Sequence, residues 1–280
     1  MIRILTDSAC DLSPELIEKY DIIVIPFHVH LGDREYKDGH DISPKQIYQW
    51  AEEHKTTPKT AVPSIQEVID VYRKYPDDEL ICFSISHSMS GSGNVMRLAA
   101  EELEIEERVH LINSKNLSSG IGLLILEAAI MAGSGINAEE IVKTVKDFIP
   151  KVRSSFVVDT LTYLYRGGRC SGVAALSGGV LNIHPKIVVT DGSMVPSKKY
   201  RGKMPKVIMS YVKDLEEDLK QAKKDRVFIT HSGCDKEVIE EVYGYLKSLE
   251  LFSEIWITRT GAVISSHCGP GPLGVLFIAQ

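Results

Sequence analysis

The chain has 280 residues, 44% apolar and 25% charged, with a net charge of −6. That composition is globular and long enough for one large or two modest domains, and its field favours neither nucleic acid nor an anionic membrane. The opening MIRILTDSACDLS lacks the basic flank and long apolar stretch of a signal peptide, and no window reaches the roughly 18 apolar residues of a membrane span.

The apolar run IRILTDS ends in turn residues and reads as a buried strand. Ser13-Pro14 starts a helix, with serine as cap and proline in the first turn. IIVIPFHVHL is a second strand, and DREYKDGHDIS a hairpin tip or polar loop. Ser43-Pro44 repeats the cap signal before KQIYQWAEEH, and Ser64 with Glu67 forms a capping box that opens IQEVIDVYRKY. ELICFSI is a strand followed by a helix over 91–102. RVHLINS is another strand, followed by a helix near 118–133 whose apolar stretch is broken by Glu127. Asn137 with Glu140 caps a further helix that ends at Pro150. Strands alternating with helices predict a mostly parallel sheet covered on both faces.

After Pro150 the rhythm changes. SSFVVDT is short and leads into LTYLYRGGRCSG. LNIHPKIVVTDGSMVPSKK reads as a hairpin around an Asp-Gly turn. A long charged helix is predicted over about 203–224, then a strand in DRVFITHSG, a helix in KEVIEEVYGYLKSLE, and strands in SEIWITRTG and GVLFIAQ. The fold class is therefore α/β: an N-terminal mostly parallel sheet flanked by helices, over residues 1–155, and a C-terminal α+β domain over 156–280. Five scattered cysteines, an odd number, suit reduced thiols and a cytoplasmic location.

The stretch SHSMSGSGN, residues 86–94, follows a strand and opens a helix. A nucleophile elbow needs glycine two residues before its serine, and Ser90 has Ser88 there. A Walker-type loop needs a lysine that is absent. What remains is a helix start rich in N–H groups and small hydroxyls, suited to a carboxylate or phosphate oxygen, or simply to capping. Thr6, Asp7 and Ser8, Thr60, and Asn113 with Ser114 have the same character near other strand or helix ends. In an open α/β sheet such ends point to one crevice, although each alone fits turn chemistry. His267 precedes Cys268-Gly-Pro-Gly-Pro, a rigid run that would hold one imidazole in place. His231, Cys234, His267 and Cys268 have no standard zinc spacing. His28 and His30 share one strand face. Arg166, Arg169, Lys198, Lys199, Arg201 and Lys203 are either a solvated basic surface or a docking patch for an acidic partner.

In order along the chain, TDSACDLS, TAVPS, SHSMSGSGN, VDTLTYLYRGGRCSG, HPKIVVTDGSM, KKYRGK, ITHSG and HCGPGPLG resemble the DegV family. The resemblance spans essentially the whole chain. It implies two α/β domains with a long-chain fatty acid lying between them, and no other cofactor or metal. It implies an acyl-carrying subunit of bacterial fatty acid kinase, in which a separate ATP-binding subunit phosphorylates the bound acid for phospholipid synthesis. By motif, Thr60, Ser90 and His267 fall at the carboxyl group, with Gly91 and Ser92 beside Ser90. Arg169, with Arg166, falls where the kinase subunit is engaged. Ala61, Val62, Met89, Ser92 and Cys268 depart from the family's usual residues, which bears on the preferred chain. A lipid carrier or sensor without a kinase, and a serine-dependent hydrolase using Ser90 and His267, are the alternatives.

The energetics fit this resemblance. Burying about fourteen methylenes is worth up to roughly 11 kcal/mol, whereas each hydroxyl contact contributes about 1–3 kcal/mol. Affinity is thus expected from the slot and position from the hydroxyls, which can both donate and accept and do not clamp a carboxylate with a fixed charge.

Overall fold

The computed structural model describes residues 1–170 and 183–280. Residues 171 and 172 of the arginine segment, and 181 and 182 at the start of the predicted hairpin, lie outside them. Three sheets organise the fold. The first is four-stranded and wholly parallel, with β1 (Ile2–Asp7), β2 (Ile23–Ile25), β6 (Glu79–Ser84) and β7 (Val109–Asn113) in the order β2-β1-β6-β7. A small antiparallel sheet, β4-β3-β5, joins β3 (His28–Leu31), β4 (Arg34–Lys37) and β5 (Lys59–Ala61). The third is six-stranded and mixed: β8 (Val152–Val157), β9 (Ile183–Thr190), β10 (Ser193–Arg201), β11 (Arg226–His231), β12 (Glu254–Arg259) and β13 (Leu273–Ile278), in the order β10-β9-β8-β13-β11-β12. Only β11 and β12 run parallel within it.

The parallel strands are apolar on successive residues because both faces are covered. Leu5, Leu80 and Cys82 pack on α3 (Ile65–Tyr72) and α4 (Ser92–Glu102), while Ile4, Ile81 and Phe83 face the opposite way, toward α5 (Ser119–Gly133). Helix α5 is buried on all sides from Ser119 to Ala129. It touches β1 and β6 on one side and β8 and β13 on the other, so it fills the space between the parallel and the mixed sheet. A helix apolar all round belongs in such a position. The far face of the mixed sheet is covered by α8 (Met204–Asp214) and α10 (Lys236–Ser248). The remaining helices are α1 (Pro14–Lys19), α2 (Pro44–His54), α6 (Ala138–Phe148), α7 (Thr162–Gly167), α9 (Glu216–Lys220) and α11 (Ala262–Cys268).

The caps form as their residues dictate. Ser13 accepts from Leu16 N, Ser43 and Ser64 make full capping boxes with Gln46 and Glu67, and Asn137 accepts from Glu140 N. Asp191 and Gly192 both have positive φ, 47° and 80°, as a two-residue turn between β9 and β10 requires. Two predicted elements divide. Pro26, which has no N–H for a ladder, separates β2 from β3, and the halves enter different sheets. The charged helix predicted over 203–224 breaks at Leu215 into α8 and α9. Among the elements not foreseen are β4, in a stretch read as a hairpin tip or polar loop, α7, β5, which carries Thr60, and the seven-residue helix α11, which carries His267.

Glu127 interrupts the apolar surface of α5 for a reason. Its carboxylate meets Arg226 Nη1 of β11 at 2.5 Å and Lys223 Nζ at 2.8 Å, with Glu127 and Arg226 both buried. The pair fixes the register of α5 on the mixed sheet. Removing one partner strands the other away from water, which is where buried pairs show their weight. Glu127→Ala is expected to lower the free energy of unfolding by about 3 kcal/mol in urea titration. A loss below about 1 kcal/mol would show that Asp225 and Glu254, 3.2 and 3.6 Å from the guanidinium, satisfy Arg226 without Glu127.

Candidate ligand-binding site

The site is built around α11. A helix this short has no stability of its own, and its start is held by two carboxylates. Asp11 Oδ1 accepts from Gly261 N and Asp38 Oδ1 from Ala262 N, each at 2.7 Å. The second oxygens are also engaged: Asp11 Oδ2 accepts from the Ser118 hydroxyl, and Asp38 Oδ2 from Ser8 Oγ at 2.8 Å. Asp7, the third carboxylate of this group, accepts from Ile85 N at 2.9 Å and so ties β1 to the loop after β6. Burial pushes all three carboxyls up, Asp7 to about 6 and Asp11 to about 8, and repulsion from neighbouring carboxylates adds to the shifts of Asp7 and Asp11.

One turn beyond its anchored start, α11 presents His267. Its Nε2 lies 3.0 Å from Thr60 Oγ1. Its Nδ1 is buried without a hydrogen-bond partner among the described residues. The ring packs so closely on α7 that a Cβ on Gly167 would stand 2.5 Å from Nδ1. Burial, together with the nearby Arg169 guanidinium, lowers the imidazole pKa to about 4. The ring is therefore neutral at physiological pH. Arg169 bridges two walls, donating from Nη1 to Gly167 O at 2.7 Å and from Nε to Met89 O at 3.4 Å.

Thr60, Ser90, Gly91, Arg169 and His267 all line one cavity of about 120 Å³. The rest of its wall is largely apolar, with Phe27, Val62, Ile85, Met89, Leu117, Met194, Val263 and Ile264. Ser90 is half-buried, and its hydroxyl accepts from Ser92 N at 3.3 Å. A second, almost wholly apolar cavity of about 40 Å³ shares Leu117, Ile264 and Cys268 with the first. It runs on between Ile264 and the mixed-sheet residues Phe156, Gly274 and Leu276. The two cavities adjoin at these shared residues, with the hydroxyl–imidazole cluster in the wall of the first.

The other sequence candidates take different places. Ser92 is fully buried and does not line the cavity; its hydroxyl turns toward Asp7. Arg166 is exposed on α7, outside the cavity. Arg169, expected at a partner surface, is exposed at the rim and also belongs to the cavity wall. Thr6 donates to Asp7 O, Ser8 to Asp38, and Ser114 to Asn116 O, while Asn113 accepts from Lys115 N. They brace the loops and do not line either cavity. His28 sits between Glu35 and Glu67. His231 accepts from Gly233 N, and Cys234 donates to Gly271 O; among the described residues no group of His, Cys, Asp and Glu is placed to hold a metal. His267 pairs with Thr60 and not with Ser90, and no carboxylate orients Nδ1, so the relay of a serine hydrolase is not assembled. Reading the sequence missed Leu117 and Ile264, which join the two cavities, and the carboxylates that hold α11. Asp11 lies within a quoted motif, but nothing in the sequence links it to Gly261.

An α/β protein with three sheets and two adjoining, largely apolar internal cavities, one with a polar cluster in its wall, is the class that fold and site define. The chain belongs to the DegV family: the family's sequence profile, described as an uncharacterised protein of that family, matches residues 1–280. A DegV domain-containing protein of Caldanaerobacter subterraneus is 32% identical over 99% of this chain and 98% of its own length. A Thermotoga maritima protein described as a fatty acid-binding protein is 31% identical over 98% of this chain and 96% of its own. Among solved structures, a fatty-acid-binding DegV family protein from Thermus thermophilus superposes with a TM-score of 0.92 at 28% identity, covering 100% of this chain and 99% of that one.

The carboxyl cluster gives stability a pH dependence whose sign follows from the direction of the shifts. Asp11 has a folded pKa of about 8 against 3.8 for an ordinary aspartate, so its contribution is complete at low pH and is lost as pH rises toward 8. His267 acts oppositely, losing stability as pH falls from 6.5 toward about 4. Above pH 6.5 the aspartate acts without that opposition. Unfolding free energy is expected to fall by up to about 2 kcal/mol between pH 6.5 and 8. Asp11→Asn, which keeps an acceptor for Gly261 N, should flatten the fall; an unchanged slope would assign it to other groups.

Proposed function

We propose that this protein binds a long-chain fatty acid with its carboxyl group at Thr60, Ser90 and His267 and its acyl chain in the apolar slot. One observation carries the reading: residues from three distant segments converge at the polar end of an otherwise apolar cavity. The fatty-acid-binding relatives support it. The neutral imidazole and the threonine hydroxyl can each offer a hydrogen to a carboxylate, and Arg169 supplies positive charge at the rim. The acyl chain would lie between residues 1–155 and 156–280.

The family resemblance extends the proposal. The bound acid is presented to a separate ATP-binding kinase subunit in the cytoplasm, which forms the acyl phosphate used in phospholipid synthesis. Arg166 and Tyr165, exposed on α7 beside the rim residue Arg169, are consistent with a docking surface there. No helix among the described residues is long and apolar enough to cross a membrane.

Native mass spectrometry of protein purified from bacteria should show a bound acid of common chain length. Thr60→Ala and Ser90→Ala should each weaken re-binding of palmitate about tenfold, the weight of one hydroxyl contact. Palmitate binding that survives both substitutions unchanged would remove the carboxyl assignment. With the kinase subunit added, Arg166→Glu, on α7 outside the cavity, should abolish acyl-phosphate formation while leaving lipid bound; undiminished phosphorylation would refute the docking assignment.

A further inference from the structure

The proposed function leaves the largest described cavity unused. This is an open cleft of about 670 Å³ formed by β8, β9, the end of α6 and the loop after β7. Lys115, Lys146, Arg153 and Lys186 line it, against Asp191 and Asp218. None of the four cations is in an ion pair with a carboxylate among the described residues. Lys186 is half-buried beside the Tyr211 ring, and burial lowers its pKa against the opposing pull of Asp218 and Asp214, neither of which pairs with it directly. Arg153 is steadied by donating from Nη1 to Pro150 O at 2.9 Å, which leaves its other N–H groups for a guest.

The cleft lies against the far end of the apolar slot. Ser154 and Val189 line both the cleft and the second cavity. Ser154 is 5% exposed, and its hydroxyl has no hydrogen-bond partner among the described residues. An unpaired buried hydroxyl costs about 1–3 kcal/mol. A hydrocarbon tail ending there would leave that cost in place, whereas a carboxylate oxygen reaching Ser154 from the cleft would remove it.

We propose that the slot continues past Ser154 into the cationic cleft, and that the protein takes long-chain acids carrying a second, distal carboxylate, met by Lys186 and Arg153. The proposal rests on the first carboxyl group lying at Thr60, so its test separates the two ends. Delipidated full-length protein is titrated calorimetrically with straight-chain acids of increasing length, each as the monoacid and as the α,ω-diacid. Beyond one threshold length the diacid should bind at least as tightly as the monoacid. Lys186→Ala should weaken that diacid about tenfold, the weight of a hydrogen bond to a charged group, and leave the monoacid within about twofold. Arg153→Ala, at an exposed side chain, repeats the test if the first variant folds poorly.

Rejection of the diacid at every length, with the monoacid still bound, overturns this proposal alone. Failure of every monoacid to bind overturns the Thr60 assignment and this one with it. Loss of monoacid binding in Lys186→Ala but not in Thr60→Ala means that the single carboxylate sits in the cleft, which also overturns it.

Discussion

The pairing of two buried carboxylates with the first N–H groups of α11 is the constraint on which the site depends. Seven residues rich in serine do not hold a helix in water. Asp11 and Asp38 supply acceptors where the helix has unsatisfied donors. Because Asp11 follows β1 and Asp38 follows β4, the two contacts also bring α11 from the mixed-sheet half onto the N-terminal half. His267 is thereby placed against Thr60 across 207 positions of sequence. The arrangement has an energetic cost: burial of three neighbouring carboxylates raises their pKa values, so charge there is unfavourable as well as useful. A site that must hold one imidazole in register can rest on such an arrangement only if the surrounding core supplies the stability.

Helix α5 supplies much of that core. It is apolar on every side because it is covered on every side, and one continuous hydrophobic cluster runs from the parallel sheet through it to Phe228 and Leu276 of the mixed sheet. Its start is specified by polar contacts. Ser118, at φ 54° and ψ −144°, holds a backbone shape costly for a residue with a side chain, and keeps it by donating to Asp11 and, through its N–H, to Ala9 O. Ser119 joins Thr230 and Thr258 in a closed hydroxyl cluster. The loop that carries Leu117 into the slot is thus held by the same carboxylate that holds α11.

What the sequence made legible was local. Caps at Ser13, Ser43, Ser64 and Asn137, the Asp-Gly turn and the uninterrupted apolar strands each depend on neighbours a few residues away, and each formed as read. The break at Pro26 was equally local and could have been drawn from the missing N–H. Helix α11 could not, since the contacts that make AVISSHC helical come from residues 11 and 38. The same limit separates Ser90 from Ser92. Both are hydroxyls at one helix start, and only packing decides that Ser90 faces the cavity while Ser92 faces Asp7. Thr60 and His267 were chosen by motif; their contact and the hydrocarbon that surrounds it are tertiary facts.

In the proposed binding mode, the division of labour between head group and acyl chain follows from the same physics. An arginine buried at the carboxyl end would hold the head group strongly, but would also stabilise its charged ground state against any reaction that changes that charge. A neutral imidazole and two hydroxyls can each switch between donor and acceptor. On the proposed function they can follow the carboxylate as its oxygen becomes the bridge of a mixed anhydride with phosphate, at the strength of ordinary hydrogen bonds. The lasting part of the affinity then falls to the hydrocarbon wall, whose contribution grows with each methylene and is indifferent to what happens at the head group. Arg169 stands where a permanent charge does least harm to that scheme, at the rim, tied to backbone carbonyls on two walls and open to solvent.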